Sequence, residues 1–178
     1  MNKPKAEELR DNGWKRAWLG LGGNIGDVIK TLGNALEDMA HAPAIRLKAV
    51  SSYYRTPPWG KTDQNQFVNV CCEIETGLSP EELLQFCLNL EKKYGRLREV
   101  KWGPRTLDID VLAYENIDHY HSETLDIPHP LMTKRAFVLE PLNEIAPDLV
   151  INGREVKAWK NECQNEGIVV LPTHFTIR

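Results

Sequence analysis

The stretch Trp102-Gly-Pro-Arg-Thr-Leu-Asp-Ile-Asp-Val-Leu112 has an alternating pattern that predicts a β-strand. Three apolar residues occupy every second position and share one face of that strand. The intervening Asp108 and Asp110 share the other face, with Cα atoms about 6.6 Å apart from the strand rise. Like charges about 4 Å apart cost on the order of 4 kcal/mol at an effective dielectric of about 20, so the pair predicts a cationic partner. Mg²⁺ is the natural candidate, because it prefers oxygen ligands and commonly binds with a phosphate.

The same two aspartates are also compatible with the solvated face of an ordinary strand, because so short a motif occurs often by chance. The preceding residues favour the metal interpretation over this alternative. Four basic residues fall within ten positions just before the strand, namely Arg96, Arg98, Lys101 and Arg105. Arginine favours bidentate contacts to phosphate, although a merely soluble surface is the plainer explanation. Gly95 and Gly103 flank this segment and would allow it to close over a triphosphate.

Length and composition indicate one globular domain. The chain has 178 residues and a net charge of -3, which argues against non-specific nucleic-acid binding. No apolar run approaches the length of a membrane span, and the polar N-terminus lacks the features of a secretory signal. The four cysteines form no CxxC pair and are expected to be reduced thiols. We therefore expect a cytoplasmic monomer without nucleic-acid or membrane partners, with residues 1–16 an N-terminal extension and residues 17–178 one domain.

The order of predicted elements is βαββαβ. The predicted strands cover residues 17–21, a segment from Ile45 toward Tyr54, residues 67–75 and the Asp-x-Asp strand, and the two helices follow Asp27 and Ser79. This order predicts an α+β fold of the ferredoxin-like type, with an antiparallel sheet and helices on one face. The other face would carry the site, roofed by long loops. A short helix over 135–145 and a strand at 169–171 would form a C-terminal appendage.

Several aromatic and amide residues predict a place for a flat heterocycle. Any one of Trp59, Phe67 and Trp102 is a core residue by default, but together they suggest aromatic stacking. Asn69 interrupts an apolar strand, and a half-buried amide there needs hydrogen-bond partners that a ligand could supply. His129, between two prolines, is either structural or a phosphate contact. The glycine-rich segment 20–26 matches a phosphate-binding loop poorly, so a tight turn or a floor for a flat ligand is the better interpretation.

Together these segments resemble the 6-hydroxymethyl-7,8-dihydropterin pyrophosphokinase family of folate biosynthesis. The similar strings are LGLGGNIGD at 19–27, SSYYRTPPWG at 51–60, QNQFVNV at 64–70, KWGPRTLDIDVL at 101–112 and IPHPLMTKRAFVLEPLNEIAP at 127–147. The resemblance covers about residues 17–149. It implies the same ferredoxin-like fold, ATP as co-substrate, and transfer of pyrophosphate to the pterin hydroxymethyl oxygen with release of AMP.

The resemblance also implies a role for particular residues. The implied catalytic residues are Arg96, Arg105, Asp108 and Asp110, and the two aspartates would hold two Mg²⁺ ions as a clamp on the phosphates. The implied ATP contacts are Glu91, Arg98, Trp102, Arg105, Ile109, His129 and Arg135. The pterin would lie between two aromatic rings, and its implied contacts are Gly22, Thr56, Pro57, Pro58, Trp59, Phe67, Asn69, Trp102, Asp108 and Phe137.

The chain departs from the family pattern at three places. Gly23 stands where serine is common, Trp59 stands where a smaller apolar residue is frequent, and the segment between Gly95 and Trp102 is one residue shorter than in some relatives. Two other classes of protein remain alternatives. One is a palm-type two-metal nucleotidyltransferase, which would also place an Asp-x-Asp motif on a strand. The other is a catalytically silent pterin- or nucleotide-binding module, against which the complete set of acids and arginines argues.

Overall fold

The central sheet is antiparallel and places the Asp-x-Asp strand at one of its edges. The computed structural model of the chain describes residues 13–95, 102–165 and 167–178. The strands of this sheet are β1 (Lys15–Gly23), β2 (Ile45–Val50), β3 (Ser52–Thr56), β4 (Phe67–Thr76), β5 (Asp108–Tyr114) and β10 (Val169–His174). Two short hairpins lie outside the sheet, formed by β6 (Tyr120–His121) with β7 (Asp126–Ile127) and by β8 (Val150–Ile151) with β9 (Arg154–Glu155).

The strand order is β10-β3-β4-β1-β5, and β2 also pairs with β4. The prediction of one continuous strand from Ile45 toward Tyr54 was wrong at Ser51. The Ser51 side chain is buried, and its hydroxyl accepts a hydrogen bond of 3.0 Å from the Cys71 amide. The chain therefore breaks there, and β2 and β3 pair with successive parts of β4.

Two helices cover the first face of the sheet, as predicted. They are α1 (Val28–His41) and α2 (Pro80–Lys93). The carboxylate of Asp27 accepts from the Lys30 amide at the start of α1, and Ser79 and Glu82 form a reciprocal capping box at the start of α2. The apolar stripes of both helices pack on the alternate residues of β1, β4 and β5 that face them. Each fully buried leucine in this core contributes about 1.5–3 kcal/mol.

The second face is partly covered, which corrects the expectation of helices on one face only. Its elements are a 3₁₀ turn (Met132–Lys134), α3 (Ala136–Ile145) and α4 (Val156–Glu162). The sheet residues Trp18, Cys71 and Leu112 are apolar on this face, so they need a second core, which Leu139 and Leu142 help to supply. Because these elements cover only part of the face, the remainder forms a cavity beside the N-terminus of α3.

The chain begins to pair earlier than the predicted domain boundary at residue 17. Lys15 and Arg16 already belong to β1 and lie opposite Thr76 and Glu75 of β4. The indole ring of Trp14 lies under the Arg46 guanidinium, 4.3 Å from the guanidinium carbon to the ring centroid. The rest of the predicted extension, residues 1–12, lies outside the described residues. Across the part of the chain that is described, no helix has the length and apolar character needed to cross a bilayer.

Candidate active site

A cavity of about 390 Å³ lies on the open part of the second face, and most of the predicted site residues line it. β1, β4 and β5 form its floor, and residues that follow β3 and precede β5 form its rim. The predicted residues that line it are Gly22, Thr56, Pro57, Trp59, Phe67, Asn69, Trp102, Arg105, Asp108, Asp110, His129, Arg135 and Phe137. The sequence pattern and the fold therefore place these residues around one space.

The two aspartates lie side by side on the floor of the cavity. Asp108 is opposite Gly22 of β1, and Asp110 is opposite Gly20. Both carboxylates are half-buried, and the glycines beside them leave the space above the strand open. Carboxylate oxygens suit Mg²⁺, which is usually held by one or two carboxylates together with substrate phosphates and water. The described residues hold no cluster of three or more His, Cys, Asp or Glu side chains positioned to bind a metal ion.

His129 faces one of these aspartates. Its Nε2 atom lies 4.0 Å from Oδ1 of Asp110, and its Nδ1 atom accepts a hydrogen bond of 3.2 Å from the Leu131 amide. Burial, together with the positive charge of Arg135, lowers the pKa of His129 to about 4 against the opposing effect of Asp108 and Asp126. The ring is therefore neutral at neutral pH and carries its proton on Nε2, on the side of Asp110.

Arg135 lies among three aromatic rings at the rim. The residue is only 6 % exposed, and burial lowers the pKa of its guanidinium although Asp110 and Asp108 act to raise it. Its guanidinium carbon is 4.8 Å from the ring centroid of Trp59, 5.1 Å from that of Trp102 and 5.4 Å from that of Phe137. The aromatic rings therefore contact the Arg135 guanidinium through their faces and keep its positive charge near Asp108 and Asp110.

The opposite side of the cavity carries the amide predicted to read a flat ring. The Asn69 Nδ2 atom donates a hydrogen bond of 2.7 Å to the Thr56 hydroxyl, which fixes the orientation of the amide. Asn69 lies opposite Gly22 in the sheet, and a Cβ atom at that glycine would come within 2.2 Å of Asn69 Oδ1. Gly22 is therefore required for the amide to lie flat over β1.

Sequence reasoning missed two residues that join the loops of the site. Asn24 is buried, and its side chain accepts from the Arg105 amide at 2.9 Å and donates to Gln64 Oε1 at 3.0 Å. Gln64 in turn donates to the Trp102 carbonyl at 2.8 Å. The available signal was a run of amide side chains, Gln-Asn-Gln at 64–66, beside an Asn that follows two glycines. Only the fold brings these segments together.

Some predicted contacts lie elsewhere. Within the described chain, neither Glu91 nor Ile109 lines this cavity, and the ATP contacts implied for them stay predictions. Both side chains are buried, because Ile109 belongs to the apolar face of β5 and the Glu91 carboxylate binds its amide. Pro58 lines a neighbouring groove of about 540 Å³. The roles predicted for Arg96 and Arg98, and the closing segment that includes Lys101, fall outside the described residues.

Comparison with known proteins shows the family to which this chain belongs. The family model for 7,8-dihydro-6-hydroxymethylpterin-pyrophosphokinase matches residues 18–147. A protein of Methylorubrum extorquens named 2-amino-4-hydroxy-6-hydroxymethyldihydropteridine pyrophosphokinase is 54% identical over 153 residues, which cover 86% of this chain and 96% of that relative. A Bacillus subtilis protein of the same name is 42% identical over 154 residues, covering 86% of this chain and 89% of its own. The chain combines an antiparallel α/β fold with a family match over most of its length, and it belongs to this pyrophosphokinase family.

Solved structures with a similar fold include a Plasmodium falciparum HPPK-DHPS protein. It superimposes with a TM-score of 0.66 at 16% identity and covers 84% of this chain. This chain spans 45% of the length of that protein. At such low identity the likeness concerns the fold alone, and it supports a mixed α/β architecture with an antiparallel sheet.

Proposed function

We propose that this chain transfers the terminal pyrophosphoryl group of ATP to the hydroxymethyl oxygen of 6-hydroxymethyl-7,8-dihydropterin, a step of folate biosynthesis. A bond forms between that oxygen and the β-phosphorus, the bond from the β-phosphorus to the oxygen shared with the α-phosphate breaks, and AMP leaves. The proton of the attacking hydroxyl is released to solvent as the new oxygen–phosphorus bond forms. The observation that most strongly supports this proposal is that Asp108, Asp110 and Asn69 line the same cavity.

The acceptor end of the cavity suits a pterin. Phe67 and Phe137 both line it, and stacked rings bind a flat heterocycle by dispersion and area burial. The Asn69 amide, oriented by Thr56, has hydrogen-bonding capacity beyond that one bond and matches the donor and acceptor edge of a pterin. Gly22 provides the flat floor. The acceptor hydroxyl would then point toward the two aspartates.

The phosphate end suits a magnesium-bound triphosphate. Asp108 and Asp110 would hold Mg²⁺, in our proposal two ions, which neutralises phosphate charge and orients the phosphates when bound. His129 would donate its Nε2 proton to a phosphate oxygen, and Arg105 and Arg135 would add fixed positive charge. Arg96 and Arg98 are proposed to contribute further charge. Because no nucleophilic side chain is needed, the protein acts chiefly by positioning and charge stabilisation.

We also propose the finer architecture and setting of the molecule. The strand order is β3-β4-β1-β5, and helices lie between β1 and β2 and between β4 and β5. This order supports a ferredoxin-like core, with α3, α4 and β10 as elements outside that core. A cytoplasmic location is supported by four free thiols, because reducing compartments keep cysteines unpaired. We propose further that the protein is a monomer and that it binds neither nucleic acid nor a membrane.

Analysis of the products of ATP tests the proposed function directly. The chain is incubated with ATP, Mg²⁺ and the hydroxymethyldihydropterin, and the products are separated by chromatography. AMP and a pyrophosphorylated pterin in equal amounts are expected. Release of free pyrophosphate would indicate a nucleotidyltransferase of the palm type, and binding of both ligands without any product would indicate a silent binding module. Either result would contradict the proposal.

A further inference from the structure

Three aromatic rings surround the Arg135 guanidinium. We call Trp59, Trp102 and Phe137 the aromatic box. The rings of Trp59 and Trp102 meet edge to face, with centroids 5.1 Å apart and an interplanar angle of 67°. Arg135 is the N-cap residue of α3, and Phe137 is the second residue of that helix.

The box contacts the guanidinium by the faces of its rings. A guanidinium stacked on an aromatic ring uses its flat face, which leaves the N–H groups at its edge available to a ligand. Arg135 Nε is buried and finds no hydrogen-bond partner among the described residues. A buried donor without a partner is costly, so its natural complement is an anion that enters the cavity.

The backbone holds the two tryptophans together. Trp102 has a φ of +61°, a left-handed conformation that few residues with side chains adopt. A Cβ atom at Gly60 would lie 3.4 Å from the Trp102 side chain, so the residue after Trp59 already packs closely against it. Strained backbone of this kind is found at ligand-binding positions. Trp59 itself is 40 % exposed, and its contacts are therefore with the site rather than with the core.

We propose that Trp59 is a positioning residue that acts through Arg135, holding the guanidinium so that its N–H edge faces the ATP phosphates. This inference rests on the proposed contact between Arg135 and ATP. A leucine at position 59 would remove one ring face and leave the side chain of Arg135 free to turn toward Asp108 and Asp110. Nucleotide affinity should then fall because a cation aimed at the phosphates would pair with carboxylates instead.

The test measures binding of a non-hydrolysable ATP analogue with Mg²⁺ by calorimetry, without turnover. Trp59→Leu is expected to weaken binding about tenfold, because it removes one cation–π contact to a buried guanidinium, and Trp59→Phe to stay within about threefold of wild type. In an Arg135→Ala background, Trp59→Leu should cause no further loss. Trp14→Leu is the matched control, because it removes a tryptophan stacked on Arg46 at the far end of β1.

Three results would overturn the inference. They are an unchanged affinity in Trp59→Leu, an equal loss with and without Arg135, or an effect confined to the KM for the pterin. Failure of the proposed function is distinguishable from all three. In that case wild-type chain would form no AMP and pyrophosphorylated pterin, whatever the coupling between the two residues in the binding titration.

Discussion

The Glu91 carboxylate accepts a hydrogen bond of 2.8 Å from the amide of Ile109, the residue between the two aspartates. Glu91 lies near the end of α2 and is 2 % exposed, and β5 is an edge strand of the sheet. The outward amide of an edge strand needs a partner, and a helix side chain here supplies it. Glu91 therefore fixes the strand that carries Asp108 and Asp110, and its role in the site is positional.

Replacement of Glu91 should affect stability and activity together. Glu91→Ala leaves a buried amide without its acceptor and is expected to lower the free energy of unfolding by about 2–3 kcal/mol. Because β5 then loses its fixed position, kcat should also fall. Glu91→Gln keeps an acceptor oxygen and should recover much of both. Urea unfolding and steady-state kinetics measure the two effects, and an alanine variant equal to wild type in both would refute the positional role.

The aspartates should act on turnover far more than on folding. Asp108→Asn or Asp110→Asn is expected to lower kcat by about 10²–10⁴-fold, because the charge that holds the metal acts on the transition state. Thermal unfolding should remain close to wild type, since both side chains lie on the cavity floor. Asp118→Asn, in an exposed turn, is the matched control. A variant at either aspartate that keeps full turnover would exclude it as a metal ligand.

Gly22 should be intolerant of a methyl group. Gly22→Ala places a Cβ within 2.2 Å of Asn69 Oδ1, so the amide must turn away from the cavity. The KM for the pterin should rise about tenfold or more while the KM for ATP changes little. The control is Gly33→Ala in α1, where the added atom meets Tyr53 at an ordinary 3.7 Å and should stabilise the fold by about 0.5–1 kcal/mol.

His129 should make stability depend on pH in weak acid. Its pKa falls from 6.5 to about 4 on folding, chiefly because of burial. Between these values the unfolded chain binds a proton that the folded chain does not, so the free energy of unfolding decreases as the pH falls through this range. His129→Gln should show a shallower slope between pH 6.5 and 4 in urea unfolding with EDTA present. His119→Gln, in an exposed position, should keep the wild-type slope, and identical slopes for all three chains would contradict the assignment.

Local patterns were enough to predict most of the fold. The alternation around Asp108 predicted β5, and the capping signals at Asp27 and Ser79 predicted the starts of α1 and α2. These succeed because strand alternation and helix capping depend on residues close in the sequence. The break at Ser51 was missed because its cause is a hydrogen bond to Cys71 in another strand.

The residues that line the cavity were predictable from side-chain chemistry. The residues that hold its strands and loops in place were not. In the sequence alone, the paired acids predict a metal site, the arginines predict phosphate contacts, and an asparagine within a strand predicts a hydrogen-bonded ligand. Glu91 and Asn24 act through backbone groups distant in sequence, so no local pattern could assign their partners. Trp18 and Leu112 face away from α1 and α2, so a second helical layer is needed to cover them. Which side chains face that way depends on the register of the sheet, which a local pattern does not give.

The number of metal ions bound to the chain tests the assignment of Asp108 and Asp110 as ligands of two Mg²⁺ ions. Mn²⁺ can replace Mg²⁺ and is followed by electron paramagnetic resonance in the presence of a non-hydrolysable ATP analogue and the pterin. We expect two tightly bound ions per wild-type chain, and fewer, with weaker affinity, in Asp108→Asn and Asp110→Asn chains that still fold. The same number and affinity of ions in wild type and both variants would contradict it.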